Sequence, residues 1–245
     1  MAKPPVDPET VHAEAVADAK RLMRLARTGA LATLDPAVGA PLTTLVGVAS
    51  DFDGAPLFLM STLARHTRHL AADPRASLLL TEERERGDPL NHPRISLNGR
   101  VDKASSPHVR ARYLQRNPKA KLYADFTDFA FFRLTVEAVH FNGGFGRADL
   151  LTPADILIGR GTETALAEAE SRLIDWVGAF GDEALARLVG HEAGGRQAWR
   201  AVGLDAEGLD LAAGGRPARV QFAAAASDEA EWRAHFVRAS GARAG

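Results

Sequence analysis

The chain predicts a mainly β fold with helices: an antiparallel barrel of about six strands, then a small α+β unit. Three observations lead there. Strict two-residue alternation runs through RISLNGRV (94–101), where Ile95, Leu97, Gly99 and Val101 oppose Arg94, Ser96, Asn98 and Arg100. It returns in FAFFRLTVEAVHF (129–141), with Phe132, Leu134, Val136 and Ala138 against Arg133, Thr135 and Glu137. Up to about residue 140, helical periodicity is confined to the start and to connections, whereas a βαβ sheet would alternate strands with full helices. After NGGFGRADLLTPADIL the pattern changes to long helical periods.

Taken in order, residues 9–27 form an amphipathic helix, with Val11, Ala15, Ala19, Leu22 and Ala26 on one stripe. Glu9 and Glu14 lie early and Lys20, Arg21, Arg24 and Arg27 late, which complements the helix dipole, and Gly29 is the expected stop. GALATLD (29–35) then leads through a Pro/Gly turn into PLTTLVGVASD (41–51) as a single strand. Asp53-Gly54 signals a hairpin and APLFLM resumes the sheet. The segment from Phe58 to Leu80 reads as a strand, a hydroxyl pair (Ser61, Thr62) and a short basic helix with Arg65, His66, Arg68 and His69. Asp73-Pro74 ends that helix and Ala76 to Leu80 begins the next strand. The charged stretch EERERGDPLNHP is expected to be a solvated, mobile loop, and a helix is expected around 107–116.

Beyond residue 158 a second unit is expected over 159–245, giving domains of 1–158 and 159–245. Residues 162–178 make a helix with Leu166, Ala169, Leu173 and Val177 inward, and a shorter one covers about 182–190. GLDLA and ARVQFA read as strands, and Ser227 as the cap of a final helix to about Ala239.

Composition narrows the function. The 245 residues suffice for a substantial core, and a formal charge of −1 sets up no field that would gather a polyanionic nucleic acid. With no cysteine, disulfides, thiolate nucleophiles, iron–sulfur clusters and Cys-based zinc sites are excluded. No apolar run is long enough for a membrane span and no apolar signal core opens the sequence, so a cytoplasmic protein is expected.

The motif that carries chemistry is STLARHTRHL. A strand that empties into hydroxyls, free backbone N–H groups and cations suits an anion such as a phosphate. The competing reading is a solvated basic helix. His66 and His69 stand at i, i+3 with no evident third ligand, which argues against a metal. Asn142 to Gly146, NGGFG, departs from a dinucleotide loop because Asp149 takes the third glycine position; a turn is expected, with Phe145 as an exposed aromatic. HEAGG at His191 lacks the second histidine of a zincin, and no P-loop or G-x-S-x-G occurs. Arg94, Arg100 and Arg133 are expected to face solvent or a dimer cleft.

In the order GALATLD, PLTTLVGVASDFDG, STLARHTRHLAADPRASLLL, RISLNGRV and GGFGRADLL, the chain resembles the pyridoxamine 5′-phosphate oxidase-like FMN-binding split barrels, and among them the HugZ-type haem-utilisation proteins. The resemblance covers roughly residues 15–155, and the tail resembles the α+β unit appended in that subgroup. It implies a six-stranded split barrel, a homodimer and FMN at the dimer interface. It places the phosphate at Ser61, Thr62, Arg65, His66 and Thr67, and the flavin along Thr43, Thr44 and Leu45. The oxidase has a Ser-Arg-Lys run where this chain has Ala64-Arg65-His66, so a permanent cation gives way to a group that titrates near neutrality. Strict pyridoxamine-phosphate oxidase activity is therefore not expected. The leading expectation is an FMN-dependent oxidoreductase with no assignable catalytic acid or base. The alternatives are a haem- or tetrapyrrole-binding or haem-degrading protein, for which His235 is the late histidine to consider, and a cofactor-free dimeric interaction module.

Overall fold

A computed structural model describes residues 8–82, 87–144, 148–159, 163–191 and 197–241. Helix α1 (Pro8–Leu25) leads into β1 (Thr28–Leu34), β2 (Pro41–Gly47), β3 (Ala49–Ser50) and β4 (Pro56–Ser61). Helix α2 (Arg65–Ala72), β5 (Arg75–Thr81), β6 (Arg94–Lys103), α3 (Pro107–Arg116), β7 (Phe129–Asn142) and β8 (Ala148–Asp149) follow. The strands form one antiparallel sheet in the order β2-β1-β5-β6-β7-β4-β3, with β8 added to β7. The sheet curls until β2 returns against β4. Six long strands stand as expected, but β3 and β8 raise the count. What reads in sequence as one strand, 41–51, breaks at Val48, whose N–H donates to the Arg27 carbonyl at 2.9 Å rather than to a neighbouring strand.

Alternation dictates the packing. Leu31, Val46, Phe58, Leu78, Leu80, Ile95, Leu97, Leu134 and Phe141 point inward, and Ala15, Ala19, Leu22 and Met23 of α1 close the core. Burying each such side chain contributes about 1.5–3 kcal/mol against the entropy of ordering it. Leu57 and Leu59, on the opposite face of β4, meet Val109, Tyr113 and Leu114 of α3, so β4 is buried on both faces. Gly29 does not end α1. It lies inside β1, where an added Cβ would come within 2.7 Å of a Leu78 methyl. Between Asn98 and Gly99 the β6–β7 register slips, and only glycine lets that backbone approach the Thr135 carbonyl.

Helix α4 (Pro153–Ile156) packs on α1 and β7 and adds Ile156 to the barrel core. A second core is built by α5 (Glu163–Gly178), α6 (Gly181–Leu188), β9 (Arg200–Asp205), β10 (Gly208–Ala213), β11 (Arg216–Gln221) and α7 (Glu229–Ser240). Its three strands form a sheet ordered β11-β10-β9. Leu166, Leu173, Leu204, Leu211, Trp232 and Phe236 fill it, joined by Phe52 from the barrel. Strand β9 goes unread in the sequence because RAVGLD is buried on nearly every residue and shows no alternation. The α7 cap is Asp228, which accepts from the Glu231 N–H at 2.8 Å; Ser227 instead donates to the Glu231 carboxylate.

Buried charges join the two cores. Arg24 of α1, 2 % exposed, lies 2.8 Å from the Asp205 carboxylate, which Arg219 also holds at 2.8 Å. Arg219 reaches Asp210 as well, and the Trp232 indole donates to the Asp205 carbonyl. Arg112 of α3 donates to Glu170 at 2.6 Å and to the Leu204 carbonyl at 2.9 Å, with its guanidinium over the Phe52 ring. Desolvation opposes the Asp205 charge, but Arg219 and Arg24 outweigh it and hold the carboxyl far below the usual range. No described helix is long and apolar enough to cross a membrane.

Candidate functional site

Helix α2 starts where β4 runs out. Ser61 closes the strand, Ala64 is the cap residue, and no side chain caps the first turn, so its N–H groups lack intrahelical acceptors. Thr67 is buried and its hydroxyl has no hydrogen-bond partner, an unsatisfied group on the turn where an anion would sit. These features fit the anion reading of STLARHTRHL.

The neighbouring charges pull the other way. Asp128, on the turn before β7, accepts from the Ser61 hydroxyl at 2.6 Å, and its carbonyl accepts from the Thr62 N–H at 2.6 Å. Ser61 also accepts from the Leu63 N–H at 3.1 Å. Asp35, at the end of β1, lies 3.6 Å from Arg65 and 3.8 Å from His69. The two carboxylates thus already engage the hydroxyl and the guanidinium expected to grip a phosphate. Arg65 is largely exposed at 64 %. His66 does not supply the missing charge: desolvation, and then repulsion by His69, push its imidazole below the ordinary histidine range. His66 Nδ1 lies 3.1 Å from the Thr44 hydroxyl, while His69 Nδ1 lies 3.3 Å from that of Thr33.

Of the strand residues expected along a flavin, Thr44 alone meets α2. Thr43 and Leu45 lie on the other face of β2 and are exposed, as the two-residue period requires. Sequence reasoning missed Asp35 and Asp128. The first stands in an Asp-Pro turn and the second in the FTDF turn, positions that ordinarily signal only chain reversal.

The opposite face of α2 opens on a cleft of about 440 Å³. Leu70, Val101 and Phe132 supply apolar walls, and Thr62, Thr67, Arg68, Lys103 and Asp102 line it with polar groups. Neither Arg68 nor Lys103 is ion-paired to a described carboxylate. An apolar slot flanked by free cations suits a flat hydrophobic molecule that carries anionic arms.

The other predicted residues take structural places. His235, 9 % exposed, stacks on Phe222 and lies with Nδ1 2.7 Å from the Arg238 guanidinium, inside the second core. Arg133 is engaged by Asp51 at 3.0 Å and by Asp53, so it is not a free cleft cation. Arg94 donates to the Leu90 carbonyl, and Arg100 is exposed. Phe145 and residues 83–86 of the charged loop lie outside the described residues.

Residues 10–156 match the family described as CREG, beta-barrel, and the chain belongs to that family. Over 115 residues it is 37 % identical to the non-canonical heme oxygenase HOZ, chloroplastic, of Arabidopsis thaliana, which covers 46 % of this chain. The chain spans about a third, 35 %, of that relative's length. Among solved structures, the protein Atu2129 of Agrobacterium tumefaciens, described as of unknown function, is 34 % identical with a TM-score of 0.80 over 98 % of this chain and 99 % of its own. A heme binding protein from Mycobacterium smegmatis is 26 % identical with a TM-score of 0.55, covering 98 % of each chain.

Proposed function

We propose that this member of the CREG β-barrel family binds haem, or a tetrapyrrole of the same shape, in the cleft beside α2. One observation carries the choice over FMN. Arg65 and the Ser61 hydroxyl, which would hold an FMN phosphate, are engaged by Asp35 and Asp128, whereas Arg68 and Lys103 line an apolar slot without an ion-pair partner among the described residues. Haem has the matching chemistry, a flat apolar ring with carboxylate arms. Similarity to a heme oxygenase and to a heme binding protein supports this reading.

The chain's own residues would act by position and charge. Leu70, Val101 and Phe132 would exclude water from the ring, and Arg68 and Lys103 would hold the acid arms. Bound haem supplies the redox chemistry. No described histidine lines the cleft, and no iron ligand is assigned. A second copy of the chain, as in a homodimer, would cover the open side of the slot.

The test is a haemin titration followed at the Soret band. Wild type should give a saturable shift, and Arg68→Gln with Lys103→Gln should weaken it about tenfold or more. An unchanged titration in that variant would place haem elsewhere. No shift at all, with no uptake of FMN, would leave the cofactor-free module. Sedimentation with and without haemin tests the dimer.

FMN is the second reading, and the unsatisfied Thr67 hydroxyl on the uncapped first turn of α2 favours it. Tight FMN uptake that is lost in Arg65→Ala, without haemin binding, would make it the better one.

A further inference from the structure

At the other end of β1 and β2, where Thr28 pairs with Gly47, a larger cleft of about 710 Å³ lies between the barrel and the second core. Three cations line it: Arg27 from the α1–β1 junction, Lys119 from the turn after α3, and Arg200 from the start of β9. Among the described residues, no carboxylate lines it. Elsewhere along this seam the arginines are paired, Arg24 and Arg219 with Asp205 and Arg112 with Glu170. Arg27 and Arg200 have only backbone carbonyls, those of Gly215 at 3.2 Å and Gln115 at 3.3 Å. Most of their donors are left over.

A fourth cation stands behind them. Arg116 is 8 % exposed and donates through Nη2 to the carbonyls of Arg24 and Leu25, but its Nη1 is buried without a partner. Desolvation lowers its proton affinity; Asp210 opposes this, and Arg27 and Arg200 lower it further. Arg200 is lowered too, by desolvation and then by Arg27. These like charges repel one another, and the described residues supply no anion inside the cleft to relieve them. Tyr123 adds an aromatic wall.

We infer that this cleft is a second ligand site, separate from the α2 cleft, which takes a small polyanion bearing phosphate or carboxylate groups. Arg27 and Arg200 would grip the anion from opposite sides of the seam, with Lys119 as a mobile third cation. The cleft volume is in the range of small-molecule sites. Because the walls come from both cores, an occupant would also tie them together and raise the stability of the whole chain.

The experiment is calorimetric titration of the full chain with pyrophosphate and with citrate, which separate the phosphate and carboxylate sources, at low and moderate salt. Wild type should bind at least one of them saturably. Arg27→Gln with Arg200→Gln should weaken that binding about a hundredfold, roughly tenfold per arginine. Lys119→Gln, an exposed change that leaves the fold intact, should weaken it by a few-fold. The surface control Arg187→Gln should leave it unchanged. Equal weakening in the control would mean general charge attraction and overturn the site, as would no binding by wild type. Haemin titration of the double variant keeps this result apart from the α2 reading: an unchanged Soret shift is expected. Loss of the shift would make this cleft the haem site and overturn a separate polyanion site.

Discussion

Arg24 and Arg65 sit at two extremes of the same molecule. Arg24 is 2 % exposed and locked against Asp205 in a network that also holds Arg219 and Asp210. Arg65 is 64 % exposed and meets Asp35 only at 3.6 Å. The buried network is costly to desolvate, so it persists only because each charge faces its opposite. The Arg65–Asp35 pair at the foot of α2 is open to solvent, so it costs little to form and adds little to stability. Ion pairs here mark where the two cores are joined, and cations without a carboxylate partner mark where a ligand would be received.

The sharpest way to break this contrast is at Asp205. Replacing it with Asn leaves Arg24 buried without an anion and Arg219 with Asp210 alone, and urea denaturation should show a loss of about 3–5 kcal/mol. A loss below about 1 kcal/mol would show that the seam is not held by charge. Next comes Arg112→Met, which strands Glu170 in the interior and should cost about 3 kcal/mol or more, with most of it recovered when Glu170→Leu is added. The same pair has a pH signature. Desolvation pushes Glu170 above the usual carboxylate range, although Arg112 opposes it. The stability contributed by a raised carboxyl is complete below its unfolded pKa and is lost as pH rises through the folded value. Wild type should therefore lose stability relative to Glu170→Gln across that interval, measured by denaturation at each pH; parallel curves would contradict the shift. The smallest effect is His66→Lys, which restores a permanent cation at the foot of α2. FMN affinity, read from flavin fluorescence quenching, should rise by about tenfold. No gain would show that Asp35 and Asp128 alone decide against the phosphate.

Much of the barrel was legible because its inward and outward residues alternate, as in Ile95–Val101 and Phe132–Val136. The expected inward place of Ala138 was wrong: the β6–β7 register slip changes the phase, so Ala138 is exposed and Val139 and Phe141 turn inward. Helix α2 was legible too, from its Asp73-Pro74 stop. Strand β9 was not, since a segment buried on both faces carries no period. Nor was the break at Val48, which depends on a carbonyl 21 positions away, at Arg27. At the candidate site the sequence disclosed the hydroxyls and the cations of STLARHTRHL but not their counter-charges. Asp35 and Asp128 lie 30 residues before and 63 residues after Arg65, and only the sheet brings them to one place. Local chemistry can be read along a chain, whereas electrostatic balance belongs to the fold.

Helix α1 has one further consequence. Its apolar stripe completes the barrel, but its Arg24 is neutralised by Asp205, which leaves the ribosome 181 residues later. At ordinary synthesis rates that interval is roughly ten to forty seconds. During it the helix cannot settle into its final seat without burying an uncompensated cation. The N-terminal half of this protein is thus made first and finished last, and a nascent chain stopped short of β9 would carry a barrel still held ajar.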